Sequence, residues 1–191
     1  MKLYMVRHGQ SVTNLERRFT GWAQAPLTEQ GLADARRAGD RLRGIAFDRI
    51  YSSDLIRAVQ TAKEAIPGCD PIQLPLLREI SVGPKLEWRE IADCEAEYGD
   101  ALWEHRNAYD FTPYGGENEA LLVARAREFI SLLEEEPCEY VAAFSHAGFI
   151  SCMLGQVLGQ SFDRKHIRCE NGSIAVFAHE RGRWILERWG A

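Results

Sequence analysis

Short runs with the character of buried strands alternate along the chain with longer stretches that have helical spacing. This alternation limits the fold more than any other feature of the sequence. Strand–helix alternation favours a mostly parallel sheet with helices packed on both of its faces. We therefore predict an α/β fold, a three-layer sandwich. The predicted strands are Leu3–Val6, Arg49–Tyr51, Val141–Phe144 and Ser173–Ala178.

Four helices are predicted between and beside these strands. Thr28 has the residue type of an N-terminal cap, and Leu32, Ala35, Gly39 and Leu42 follow it at helical spacing. The longest helix is expected to place Leu122, Ala126, Phe129 and Leu133 on one apolar face and to stop at Pro137. This longest helix is predicted at Glu117–Glu136. The other two helices are predicted at Asp54–Ala65 and Gly148–Leu158.

Two further segments complete the predicted architecture. A turn at residues 180–183 followed by the run 184–189 indicates a hairpin, so an antiparallel edge strand should finish the sheet. The stretch at about residues 80–116 fits no strand–helix unit, and it is charged and rich in tryptophan. We interpret it as an insertion over the carboxyl edge of the sheet, where α/β proteins bind ligands. Neither a repeat nor a linker interrupts the chain, so we expect a single domain over residues 1–191.

Composition narrows the class of function. With 23 basic and 28 acidic residues the net charge is −5, which argues against non-specific binding to nucleic acid or to a membrane surface. The five cysteines form no C-x-x-C pair, so neither a zinc site nor a redox motif is expected. No apolar run is long enough to cross a bilayer, and the first residues lack a signal peptide's apolar core. The expected location is the cytoplasm.

Two histidines come directly after predicted strands. His8 follows the first strand in Arg7-His8-Gly9, and His146 follows the third in Ser145-His146-Ala147. One such histidine is more often a packed residue than a catalyst. Two at equivalent strand ends are hard to obtain from packing alone, because the carboxyl ends of parallel strands meet at one edge. No carboxylate lies near either histidine at metal-ligand spacing, which favours a site without metal.

An arginine and a glutamate complete the candidate site. Arg57 lies on the helix after the second strand, and its simplest interpretation is a solvated surface residue. If it converges with Arg7 and the two histidines, the site holds two permanent and two titratable positive groups. Such a site suits a phosphate dianion, whose geometry matches the arginine fork. Glu79, a little further along the chain, is then the candidate proton carrier.

These motifs resemble the histidine phosphatase superfamily, a group that includes the cofactor-dependent phosphoglycerate mutases. The resemblance runs in order along nearly the whole chain. The matching segments are Arg7 to Asn14, Arg18 to Trp22, Pro26 to Gly31, Tyr51 to Ala58, Gln60 to Ala62, Leu77 to Glu79, Gly115 to Glu117, Ser145 to Gly148 and Asn171 to Ile174.

The resemblance implies a role for each site residue. His8 would be the nucleophile that becomes phosphohistidine, and its second ring nitrogen then needs an acceptor, expected to be a backbone carbonyl. Glu79 would protonate the leaving oxygen. Arg7, Arg57 and His146 would bind the phosphoryl group. Further contacts to a small phosphorylated substrate are implied at Asn14, Gln10, Thr20, Gly21 and Ala147. We expect no cofactor and no bound metal, and a homodimer is left open.

The leading hypothesis is a metal-independent phosphomonoesterase that resembles alpha-ribazole phosphatases, sugar bisphosphatases or broad-specificity bacterial members. Residues 82–88 depart from the Gly-x-Trp-Glu-Gly pattern of many phosphatase members, so the substrate stays open. A phosphoglycerate mutase is the first alternative, although only about three dozen residues separate Glu79 from Gly115 to cover the pocket and exclude water. A catalytically idle phosphate-binding module is the second.

Aromatic residues are concentrated in the proposed insertion. They could stack on a ring of the leaving group, or they could form a small core of the insertion itself. The second interpretation is favoured. The residues are Trp88, Trp103, Tyr109, Phe111 and Tyr114.

Overall fold

A mixed sheet of six strands lies at the centre of the part of the chain that the structure, a computed structural model, describes: residues 1–159 and 167–190. The strands are β1 (Lys2–Arg7), β2 (Arg49–Ser52), β3 (Ile72–Gln73), β4 (Tyr140–Ser145), β5 (Ile174–Glu180) and β6 (Arg183–Arg188). Their order across the sheet is β3-β2-β4-β1-β5-β6. The four strands from β3 to β1 are parallel, whereas β5 runs antiparallel to both β1 and β6.

Helices cover both faces of this sheet. Helices α2 (Glu29–Leu42) and α3 (Ile56–Ala65) pack on one face, where Ala38, Leu42 and Ala62 meet Val6 and Phe144. Helices α6 (Glu119–Glu135) and α7 (Ala147–Leu158) pack on the other, where their apolar residues meet alternate positions of the same strands. The described helices are α1 (Val12–Leu15), α2 (Glu29–Leu42), α3 (Ile56–Ala65), α4 (Ile91–Tyr98), α5 (Asp100–Ala108), α6 (Glu119–Glu135) and α7 (Ala147–Leu158), with 3₁₀ turns at Pro75–Leu77 and Thr112–Tyr114. The predicted three-layer α/β sandwich is confirmed.

Two helices begin later than predicted, and the reason is the same in both. The predicted start at Asp54 is wrong because the Asp54 carboxylate binds the Arg78 guanidinium instead of capping the helix, and α3 begins at Ile56. Glu117 likewise pairs with Arg125, and α6 begins at Glu119, after a cap by Asn118. Side chains committed to tertiary ion pairs therefore shifted these boundaries.

The edges of the sheet differ in detail from the prediction. The two-residue strand β3 has no apolar pattern, and the sequence analysis missed it. The antiparallel edge is a β5–β6 hairpin, in which the reversed strand is β5 and the outermost strand is β6.

None of the helices within residues 1–159 and 167–190 combines the length and the hydrophobicity that a membrane crossing needs.

The register of the two central strands positions the candidate site. Arg7 of β1 lies beside Ser145 of β4 in the parallel ladder. His8 and His146 are the next residues of their strands, so both leave the sheet side by side at its carboxyl edge. The backbone N–H of His8 still donates to the Ser145 carbonyl at 3.0 Å, which extends the pairing to the histidine itself.

Candidate active site

His8 is a buried histidine with one defined tautomer. Its side chain is only 4% exposed, and Nδ1 lies 2.7 Å from the Gly9 carbonyl oxygen, so Nδ1 must carry the proton. The Nε–H of Arg57 lies 3.3 Å from Nε2, as a donor facing an unprotonated nitrogen. Burial, followed by the charges of Arg57 and Arg7, lowers the His8 pKa well below its ordinary value of 6.5. His8 is therefore a neutral imidazole whose electron pair is on Nε2.

Arg57 is not the surface residue that its helical position suggested. Its side chain is 1% exposed, and its two terminal nitrogens donate to the carbonyls of Ala23 and Gly21, each at 2.9 Å. Burial lowers its pKa to about 10, which still leaves the guanidinium charged at neutral pH. The backbone conformation at Gly21, whose carbonyl accepts from Arg57, needs glycine. Its φ is left-handed at +49°, and a Cβ there would collide with Val82. The charge is thus held rigidly against His8.

Arg7 and His146 carry the unsatisfied polar atoms of the site. The His146 ring is fully buried with its centroid 5.1 Å from that of His8, and neither of its nitrogens has a hydrogen-bond partner within the described chain. Arg7 donates through Nη1 to the Cys169 carbonyl, but its Nε is also unpaired among these residues. Burial first, and then the charge of Arg57, lowers the His146 pKa well below 6.5. Buried polar groups normally have partners, so these atoms fit a ligand oxygen.

Glu79 lies in the segment that follows the Pro75–Leu77 turn. Its carboxylate accepts the Ile80 N–H at 2.9 Å and, at the beginning of α7, the Gly148 N–H at 3.1 Å. A Cβ on Gly148 would lie 2.2 Å from Glu79 Oε1, so only glycine allows this approach. Backbone donors therefore hold the Glu79 carboxyl group.

A cavity of about 960 Å³ lies beside these groups, and His8, Arg57 and His146 are buried behind its lining residues. Arg7 and Glu79 line it, together with four of the predicted substrate contacts: Asn14, Thr20, Gly21 and Ala147. The structure does not bring Gln10 to this wall, because its side-chain oxygen accepts the Thr28 hydroxyl at 2.9 Å beside the start of α2. The motif had predicted a substrate contact at Gln10, but the loop turns this side chain toward Thr28 instead.

Several wall residues escaped the sequence analysis. Arg106 of α5 lies over the Trp103 ring at 4.7 Å, and burial lowers its pKa. Arg17 lies at the wall with a left-handed φ of 55°, and Asn171 donates to the His8 carbonyl at 3.0 Å. Asn171 could have been found, since it stands in a segment that resembles the family. Arg106 could not have been found in this way, because α5 shows only a charged helical pattern in the sequence.

The aromatic residues of the proposed insertion divide between two roles. Phe111 and Tyr114 are 4% exposed and belong to the main hydrophobic core of the protein, not to the separate small core that the favoured interpretation predicted, and Phe111 also lines the cavity. Trp103 is 39% exposed at the cavity wall, where a ligand ring could reach it. Trp88 is 45% exposed and does not line the cavity. Within the described ranges, no three His, Cys, Asp or Glu residues are grouped to hold a metal ion.

Comparison with known proteins assigns the family. The model of the histidine phosphatase superfamily (branch 1) matches residues 3–191. The chain belongs to this superfamily. The histidine phosphatase resemblance found in the motifs is thereby confirmed.

The histidine phosphatase relatives carry two kinds of name. A Proteus mirabilis (strain HI4320) protein named "probable phosphoglycerate mutase GpmB" is 32% identical over 99% of this chain and 90% of that protein. The crystal structure of a candidate alpha-ribazole-5′-P phosphatase from Escherichia coli K-12 superposes with a TM-score of 0.89 at 26% identity, covering 100% of this chain and 96% of the other. Mycobacterial glucosyl-3-phosphoglycerate phosphatase, in complex with VO₃, gives 0.88 at 28% identity, covering 100% and 98%.

Proposed function

We propose that the protein is a metal-independent phosphomonoesterase that hydrolyses small phosphorylated metabolites through a phosphohistidine on His8. The observation that carries this proposal is a neutral buried imidazole, protonated on Nδ1, with Nε2 beside the Arg57 guanidinium. The phosphatase names of two solved structures with a similar fold support it. A screen for phosphate release over a panel of metabolites tests it.

The first chemical step transfers the phosphoryl group to the protein. The electron pair on His8 Nε2 forms a bond to phosphorus while the bond from phosphorus to the ester oxygen breaks. Arg7, Arg57 and His146 meet the charge on the equatorial oxygens with groups that are already in position. Glu79, in its carboxylic acid form, gives its proton to the departing alkoxide. His8 keeps its Nδ1 proton on the Gly9 carbonyl throughout.

The second step returns the site to its starting state. Glu79, now a carboxylate, takes a proton from a water molecule as the water oxygen attacks the phosphorus. The bond from phosphorus to Nε2 breaks, and its electron pair returns to a neutral His8. Inorganic phosphate leaves, and Glu79 again carries the proton for the next cycle.

The same proposal gives a role to residues 80–116. We treat them as an insertion, within one domain over residues 1–191, that covers the cavity and selects the substrate. Ile80, Val82, Trp103 and Arg106 of this stretch line the cavity wall, which supports the assignment.

Exhaustive removal of metals should leave turnover unchanged. Arg7 and Arg57 supply permanent positive charge where a metal-dependent phosphatase places its ions. After dialysis against EDTA, phosphate release should equal that of the untreated protein, while a known metal-dependent phosphatase treated in parallel loses activity. Loss of turnover that Zn²⁺ or Mg²⁺ restores would contradict the metal-free mechanism.

Replacing Glu79 with Gln should make turnover depend on the leaving group. The amide keeps the size of the side chain but cannot transfer the proton. With an alkyl phosphate, whose alkoxide leaves poorly, the first step should slow by about 10²–10⁴-fold. With p-nitrophenyl phosphate the first step should suffer much less, and phosphohistidine should accumulate because no carboxylate activates water. Rapid quench with ³²P-labelled substrate measures both effects.

The surface variant Glu64→Gln is the matched control, because Glu64 pairs with Arg36 away from the site. It should behave as the wild type with both substrates. An equal loss with both substrates in Glu79→Gln, without phosphoenzyme, would exclude Glu79 as the proton carrier. Glu119, the other carboxylate among the described residues that line the cavity, would then be the candidate.

A phosphoglycerate mutase is the second candidate function, favoured by the name of the Proteus mirabilis relative. The cavity wall also carries Arg17 and Arg106, whose guanidinium groups could hold a carboxylate. Products formed from 3-phosphoglycerate separate the two functions. A phosphatase yields glycerate and phosphate, whereas a mutase yields 2-phosphoglycerate when 2,3-bisphosphoglycerate is present. An idle binding module yields neither, and it also releases no phosphate from any metabolite of the panel.

A further inference from the structure

The segment that carries Glu79 lies outside the regular ladder of the sheet. Residues 78–81 belong to no helix or strand, so other groups must satisfy their backbone polar atoms. One side chain satisfies two of their carbonyls. The guanidinium of Arg125, on α6, donates to the carbonyls of Leu76 and Arg78 at 2.8 Å each and to that of Glu79 at 3.2 Å. Arg125 therefore binds the backbone at and immediately before Glu79.

Glu117 continues this attachment on the other side of Glu79. Its carboxylate receives two bonds from Arg125, Nε to Oε1 at 3.1 Å and Nη2 to Oε2 at 2.8 Å. Oε2 also accepts the Ser81 N–H at 2.9 Å. Both side chains are nearly buried, at 15% and 12% exposure, so each charge depends on the other. The pair spans the backbone from residue 76 to residue 81 as one neutral unit.

Within the described residues, the Glu79 carboxyl group accepts from two backbone N–H groups, those of Ile80 and Gly148, and the first of these belongs to the same segment as Glu79 itself. The indole of Trp22 donates to the Glu79 carbonyl at 2.8 Å, which keeps the segment attached if Arg125 is altered. Loss of the ion pair should therefore shift Glu79 rather than release the whole segment. A displacement of about 1 Å is enough to cost a large factor in rate.

We propose that the Arg125–Glu117 ion pair is a positioning pair for Glu79, which holds its carboxyl group where it can reach the leaving oxygen. This inference rests on the proposed phosphatase function. A purely structural ion pair would affect every substrate alike. A positioning pair affects most the substrates whose leaving group needs a proton.

The test compares an alkyl phosphate with p-nitrophenyl phosphate in Arg125→Lys and in Glu117→Gln. Lysine keeps the charge but cannot bind three carbonyls and a carboxylate through a planar fork. We expect kcat/KM for the alkyl phosphate to fall at least about tenfold more than for p-nitrophenyl phosphate. Because the ratio is taken within one preparation, partial unfolding lowers both values equally and leaves it unchanged. Arg127→Lys is the control on the same helix, since the hydrogen bond that Arg127 forms within the described residues is to Gln156 at the surface.

A double variant sharpens the test. In a Glu79→Gln background, Arg125→Lys should change the ratio between the two substrates by less than about twofold, because the positioned group is already missing. Equal losses for both substrates in the single variants, or independent effects in the double variant, would overturn the positioning role. A wild-type protein that hydrolyses neither substrate would instead contradict the proposed function, so the two failures are distinguishable.

Discussion

His8→Ala should lose turnover of every phosphomonoester and should form no phosphoenzyme. No other side chain of the described site offers an unprotonated nitrogen held by a backbone carbonyl and paired with a guanidinium. We expect phosphate release to fall to background, since covalent transfer has no alternative acceptor. Rapid quench with ³²P-labelled substrate and peptide mapping should find an acid-labile, alkali-stable label on the wild-type peptide that contains His8, and none in the variant.

The control for this experiment is His105→Ala. His105 lies on α5, where Nδ1 contacts the Tyr114 hydroxyl at 3.1 Å, and it does not line the cavity. This variant should keep both label and turnover. A label that persists in His8→Ala would place the nucleophile elsewhere. The low pKa of His8 adds a pH signature: the imidazole stays neutral as the pH falls through 6.5, so kcat/KM corrected for substrate ionisation should not drop there.

Arg57→Lys should reduce kcat by about 30- to 1000-fold, the equivalent of about 2–4 kcal/mol of transition-state stabilisation. The lysine keeps one positive charge but loses the planar fork. The Arg57 guanidinium is fixed by the hydrogen bonds that it donates to the Gly21 and Ala23 carbonyls, while its Nε faces His8. A single ammonium group cannot satisfy both carbonyls and still approach the phosphoryl oxygens. Steady-state kinetics on a substrate selected by the phosphate-release screen measure the loss.

Arg43→Lys is the matched control for this substitution. The Arg43 side chain is 80% exposed and pairs with Asp40 at the surface, so the same exchange there should change nothing. Thermal unfolding of both variants separates lost folding from lost chemistry. Near-normal turnover in a folded Arg57→Lys protein would mean that the guanidinium does not serve the transition state.

The convergence of the two histidines was predictable because it follows from a general property of parallel sheets. Once His8 and His146 each follow a strand, the carboxyl edge brings them together. The burial of Arg57 was not predictable in the same way. A polar residue in the first turn of a helix usually faces solvent, and the carbonyls that hold it come from a loop more than thirty positions earlier in the sequence.

The rest of the site depends on tertiary contacts without a local signal. Gln10 stands in a matched motif, yet its side chain bonds to Thr28 because the loop turns it toward α2. Arg125 resembles the other charged residues of α6 in sequence, and only the packed structure reveals that it binds the carbonyls before Glu79. Such residues are identified by what they touch rather than by their spacing.

The parallel pairing of β1 with β4 has a consequence for how the protein is made. The ladder joins Arg7 to Ser145, so the two histidines become neighbours only after the chain has closed a loop of well over a hundred residues. Contacts between such distant positions form late and slowly. A nascent chain emerging from the ribosome therefore lacks the proposed phosphoryl-transfer centre until β4 has been synthesised and docked. Partly folded intermediates should be unable to turn over phosphate esters, so the appearance of activity during refolding reports the closure of the central sheet.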